Sequence, residues 1–261
     1  MIGPPAPISP DCATPVTSSR AVPGPSPRWL VEAGLAGRPS FAIAPLLACG
    51  GAAVIAVLQI TGHPAGPFAA SLVEGVLPLG AALAVARLIG TDPALELQLS
   101  YPASYRRTLL RRAGLVAGWS GAFAAISAAA IQLTGLWTPG LARAELAWLA
   151  PTVALTAIAV AAGALAADGR AGAAVAALVW VIQEGLARSF AGHPALRPFY
   201  LFATSRPGPD PGAYWPNRVS LLLVAAVAAV AGWLLLGHPA RLLPGVLSDS
   251  APGHGAVHGG R

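Results

Sequence analysis

The sequence predicts an all-α integral membrane protein of six transmembrane helices, with a short cytoplasmic helix between spans two and three. Two observations carry that prediction. The 261 residues are 55% hydrophobic and only 10% charged, whereas a soluble domain carries about a quarter charged residues. Apolar runs of about 20 residues recur, and as helix each is long enough to cross a hydrocarbon core of about 30 Å.

Taken in order, residues 1–27 hold eight prolines and no apolar stretch of signal-peptide length. They predict a disordered Pro-rich cytoplasmic tail and no cleaved secretory signal. "PRWLVEAGLAGRPS" follows, either a helix lying in the membrane interface or an unstructured lead-in. Run length and breakers then place spans near 41–61, 67–89, 113–134, 146–167, 171–190 and 218–237. The first two could be misread as one helix, because 41–73 contains no Asp, Glu or Arg. "TGHPAG" at 61–66 is the turn that splits them. Span five is interrupted by Glu184 and Arg188. The six-span region is thus 28–243, and 244–261, rich in Gly, Pro and His, reads as a flexible cytoplasmic tail. His254 and His258 have metal spacing only on a helix, which Gly253, Gly255 and Gly259 oppose.

All sixteen basic residues are arginine. Without lysine the chain has no Walker A loop and no Schiff-base site. Its arginines flank apolar runs, which suits lipid headgroups and the setting of orientation, and argues against nucleic acid. With both termini cytoplasmic, eleven arginines fall inside and five (Arg143, Arg188, Arg197, Arg206 and Arg218) outside. Cys12 and Cys49 form no disulfide framework or metal spacing.

The segment 90–114, "GTDPALELQLSYPASYRRTLLRRAG", lies between spans two and three. Asp92 followed by Pro93 is an N-cap and first-turn pair, so a helix starts there. Pro102 disfavours helix at Tyr101 and limits it to about two turns. Leu95, Leu97 and Leu99 alternate as in a strand, but a lone strand at a membrane surface would have unpaired edges. Ser104 caps a second helix that carries Arg106, Arg107, Arg111 and Arg112 into span three. Anchoring at the headgroups explains these arginines but not the capped, leucine-rich helix before them.

"LELQLS", "YPASYRR" and "LLRR" together resemble the cytoplasmic coupling segment of ABC type-2 exporter permeases. "YWPNRVSLLLVAAVAAVAGWLLLGHPARLL", 214–243, is similar to the last span of that family, with Trp215, Asn217 and Arg218 at its outer edge. One departure is the thin acidic part, only Asp92 and Glu96. The resemblance implies a bacterial inner-membrane subunit that works as a homodimer or heterodimer. ATP and Mg would then be bound by a separate ABC ATPase subunit, and this chain would need no cofactor. It implies that Asp92, Leu95, Glu96, Leu97, Leu99 and Ser100 dock on that ATPase, together with Pro102, Ser104, Arg106 and Arg107. It also implies a re-entrant hairpin between spans five and six holding Glu184, Arg188 and His193.

Charges inside spans cost on the order of 3 kcal/mol each at the centre and so face a cavity or a partner. Glu74 has no partner in its own span, and Pro78 one turn on is expected to kink that helix. Glu184 and Arg188 have the i, i+4 spacing of an ion pair. With Gln132 and Gln183 they are the candidates for a substrate pathway or gate. The sparse polar groups suit a hydrophobic or amphipathic substrate. An ion-coupled secondary transporter using Glu74 and Glu184 is the alternative reading, and a structural or regulatory membrane protein a third. "GWSG" at 118–121 raises a rhomboid-like intramembrane serine protease with Ser120, against close helix packing at small residues.

Overall fold

The computed structural model describes residues 34, 37–89, 105–137, 141–203, 205 and 211–237. The two tails and most of the segment expected to form the coupling helix lie outside the described residues. That holds for Asp92, Leu95, Glu96, Leu97, Leu99, Ser100, Pro102 and Ser104.

The described residues are all-helical. The long helices are α1 (Arg38–Ile60), α2 (Gly66–Ala86), α3 (Tyr105–Leu133), α4 (Leu141–Ala166) and α5 (Gly169–Gly185), then the short α6 (Ala187–Gly192) and α7 (Tyr214–Leu235). Five of them, α1 to α4 and α7, are long and apolar enough to cross a membrane. α5 has 17 residues, about 25 Å at 1.5 Å per residue. Two of the described connections show why the chain reverses there. Gly62 (φ 74°) turns the chain after α1, while the Thr61 hydroxyl donates to the Val57 carbonyl at 2.8 Å and closes the helix end. Asp168 caps α5 by accepting from the Arg170 amide at 2.8 Å, as an N-cap carboxylate should. α3 runs unbroken from Tyr105, so the arginine turn and span three are one helix, as predicted.

α2 is the innermost of the five: 72% of its apolar window is buried, against 17% for α1. α7 packs chiefly on α4, and α4 also contacts α2 and α5. The core is built largely of alanine, including Ala69, Ala82, Ala128, Ala150, Ala159 and Ala176. Small residues let backbones approach, the usual means of packing helices in lipid. A Cβ on Gly172 of α5 would strike the Ala159 carbonyl of α4 and sit 3.1 Å from the Gly163 Cα. Large apolar side chains such as Leu46, Val57, Val227 and Leu234 point outward instead, the inverse of a soluble fold.

Antiparallel helices sort the arginines. Arg106 of α3 lies over Trp233 near the end of α7, and Gly169 of α5 abuts the end of α2. That end therefore collects Arg38, Arg87, Arg106, Arg107, Arg111 and Arg170. At the far end, Gly66 abuts the Leu136 carbonyl and Tyr214 bonds to Arg143. Arg218 lies in the second turn of α7, near this far end, and is 1% exposed because its charge partner is inside the protein.

Candidate functional site

The connection between α5 and α7 does not stay on the surface. The chain bends at Leu186 (φ −103°, ψ 26°), continues as α6, and makes a 3-10 turn at Arg197–Phe199. Tyr200 is extended (ψ 124°), and the chain then enters the protein: Tyr200, Leu201 and Phe202 are 2%, 1% and 1% exposed. Loops ordinarily run over the surface because their peptide groups need partners. Here side chains of α2, α5 and α7 supply them.

Asn217 of α7 donates its Nδ2 to the carbonyls of Arg197 (3.1 Å), Pro198 (3.2 Å) and Tyr200 (2.8 Å). Gln183 of α5 accepts from the Leu201 amide at 2.7 Å, and Arg218 Nη1 donates to the Leu201 carbonyl at 3.4 Å. Glu74 Oε2 of α2 accepts from the Ser205 amide at 2.8 Å. Its other oxygen takes a charge-assisted hydrogen bond from Arg218 Nη2, with both side chains buried. The pair carries no net charge, which is the condition for two ions in an apolar interior. Arg218 is also stacked on Tyr214, its Cζ 5.2 Å from the ring centroid, and the Tyr214 hydroxyl donates to the Arg143 carbonyl at 2.6 Å.

The local sequence of α2 shapes this site. Leu72–Val76 is one wide π-helical turn, with the Leu77 amide bonded back to Leu72. Pro78 has no amide to give the Glu74 carbonyl, and such turns absorb that loss. The π turn around Glu74 directly precedes Pro78. Gly75, next in line, is a slot: a Cβ there would overlap the Phe202 ring and lie 3.0 Å from Trp180 Nε1. Phe202 also meets Trp180 and Tyr200 edge-on at 5.9 and 5.7 Å, and Tyr200 stacks on Phe190 at 5.9 Å, geometries that aromatic rings favour.

Of the predicted pathway residues, Glu74 and Gln183 meet at this buried segment. Glu184 is half-buried on α5, Arg188 is exposed beyond the bend at Leu186, and Gln132 is half-buried at the far end of α3, outside the network. The residues that sequence reasoning missed as a site are Asn217, Arg218, Ser205 and the run Tyr200 to Phe202. Their signal was "RPFYLF", an apolar aromatic run too short to span and bounded by turns. Ser120 is buried on α3. Within the same motif Gly121 receives Trp148, 3.3 Å from a Cβ position, while Gly118 faces open space. Among the described histidines, His63 bonds Thr61 (3.1 Å) and His193 accepts from the Ala195 amide (3.4 Å), so neither is placed on Ser120.

The arrangement is a clamp that holds a loop inside a helix bundle. Gln183→Leu keeps the volume of that clamp but removes the acceptor of the Leu201 amide. It is expected to cost about 1–3 kcal/mol, the penalty of a buried unpaired donor. Thermal unfolding in detergent would show the loss, and hydrogen exchange would show the Leu201 amide opening faster than in the wild type. Unchanged exchange would mean that Gln183 does not hold the segment. Comparison with known proteins finds no family model that matches the chain, and no curated protein or solved structure that matches it.

Proposed function

We propose that the chain is the membrane-spanning permease subunit of an ATP-driven ABC exporter in a bacterial inner membrane, with six spans, both termini cytoplasmic and a second permease subunit completing the pathway. A separate ATPase binds ATP and Mg, docks at the coupling segment 92–107, and drives export of a hydrophobic or amphipathic substrate. The observation that carries this reading is the buried return at Tyr200 to Phe202. A hairpin dipping in between spans five and six is what the type-2 permease resemblance implies, and the segment that follows α5, from α6 through the turn at Arg197–Phe199 to the buried run, occupies that place in the chain. The arginine-rich end supports it further: Arg106 and Arg107 begin a helix continuous with span three, a rigid lever for work delivered beside it.

Ion-coupled transport through Glu74 and Glu184 has less support, because both Glu74 oxygens are already bonded, one to Arg218 and one to the Ser205 amide. The test is expression of the chain with its genomic neighbours and purification through a tag on this chain. An ATPase with a Walker A motif is expected to co-purify, and Leu97→Glu with Leu99→Glu is expected to release it while the helical circular dichroism stays unchanged. An intact, helical chain that brings down no ATPase, or chemical labelling of 92–104 from the extracellular side, overturns the reading.

A further inference from the structure

Well away from the clamp, α3, α4 and α7 leave an open groove of about 520 Å³ between them, within the range of roughly 300–1,000 Å³ typical of small-molecule sites. Its α3 wall is Leu110, Ala113, Gly114 and Ala117, and Trp233 and Leu236 of α7 face them. The α3 residues follow an i, i+3, i+4, i+7 stripe, and the stripe continues one turn back to Arg106 and Arg107. Arg106 sits at the mouth with its Cζ 5.0 Å from the Trp233 ring, and Arg107 is exposed. From Arg106 to Ala117 the stripe runs about 16 Å along the helix, half of a hydrocarbon core of about 30 Å. The groove itself, Leu110 to Ala117 on α3, takes up about 10 Å of that length, about two thirds of a leaflet; it is mostly apolar, with Thr152 and Thr156 on its α4 wall, and has Arg106 and Arg107 at its headgroup end.

We propose that this groove seats an acyl chain of an anionic phospholipid of the leaflet at the arginine-rich end, with the lipid phosphate on Arg106 and Arg107. Depth and charge select this occupant. A helix of a second copy would bring its own length past the groove and would leave the two guanidinium groups against apolar residues. A zwitterionic lipid would place its own cation beside them. Tryptophan at the mouth belongs at headgroup level, where its ring packs on the chain and its edge stays wet. The inference rests on the membrane placement of these helices and needs no ATPase, and it gives Arg106 and Arg107 to the headgroup, leaving Asp92 to Ser104 as the docking part of the exporter reading.

The test is native mass spectrometry of the delipidated full-length chain, titrated with phosphatidylglycerol and with phosphatidylcholine of the same acyl chains. Two arginines near a headgroup predict about a thirtyfold preference for phosphatidylglycerol. R106Q with R107Q is expected to reduce that preference to near one. Gly114→Leu is expected to lower occupancy by both lipids about tenfold. A Cβ at Gly114 meets no atom within 4 Å, so the added side chain fills the groove, not the backbone contacts. Gly118→Leu, on the same helix, equally open and outside the groove, is the control and is expected to bind as the wild type. Equal binding of the two lipids by the wild type, or a phosphatidylglycerol preference that survives loss of both arginines, overturns the proposal. So does a Gly114→Leu chain that keeps its lipid but shifts from dimer to monomer, which would assign the groove to a second copy. If Gly114→Leu fails to fold, the arginine pair alone decides.

Discussion

Arg218→Met is expected to destabilise the protein by about 3–5 kcal/mol, the cost of leaving one member of a buried ion pair without its partner. The substitution removes the countercharge of Glu74 and also a donor to the Leu201 carbonyl. Glu74→Gln is expected to cost a similar amount, because a guanidinium 1% exposed then has no anion beside it. An exposed pair would behave otherwise, contributing about 0–1 kcal/mol. The discriminating measurement is the double variant. Glu74→Gln with Arg218→Met removes both charges together, so its loss should fall well below the sum of the two singles, with a coupling of about 2 kcal/mol or more. Arg218→Lys should lie between: it keeps the charge but lacks the planar fork that reaches Glu74 and Leu201 at once. Thermal unfolding of all four variants in one detergent gives the comparison. Additive single losses would show that the two side chains do not act as a pair.

That pair also marks the limit of what the sequence could reveal. Run length is a local property, so the five long apolar helices were legible to within a few residues, and so was the turn at 61–65. α3 extends beyond its predicted span because the arginine turn, legible as helical, merges with it. Glu74 and Arg218 are 144 residues apart, and nothing in a single sequence links them. Each reads as a charge in or beside an apolar run, and a position near the start of its span puts Arg218 at the outer edge. Only packing reveals that a guanidinium on a long stem can reach inward to a carboxylate on another helix. Gln183 was legible as a polar group inside span five, but its role was not. A glutamine that lines a pathway and one that satisfies a loop amide look the same until the loop is in place. The residues proposed to dock the ATPase, from Asp92 to Ser104, lie outside the described residues, so that proposal rests on sequence signals alone.

Gly75→Leu is expected to expel the buried segment, with an effect as large as breaking the ion pair. Overpacking a filled core ordinarily costs about 1–3 kcal/mol, because neighbours shift by a few tenths of an ångström. Here the Cβ itself would overlap the Phe202 ring, which is 1% exposed, and would lie 3.0 Å from Trp180 Nε1, so a buried ring of the segment has to move. The segment can relieve the clash only by leaving. It then gives up the bonds from Gln183, Asn217, Arg218 and Glu74 together, since all of them end on residues 197–205. Ser205→Cys reports this directly, in a background where Cys12 and Cys49 are replaced by serine. The introduced thiol should resist a water-soluble maleimide with Gly75 present and react with Leu at 75. Phe202→Ala in the same chain should restore protection by vacating the space. Gly80→Leu is the control: its Cβ would overlap Leu47 of α1, so it should strain the bundle on the opposite side of α2 and leave the thiol at position 205 protected. Equal labelling in the Gly75 and Gly80 variants would mean that the segment opens with general destabilisation, and that the slot at Gly75 does not hold it.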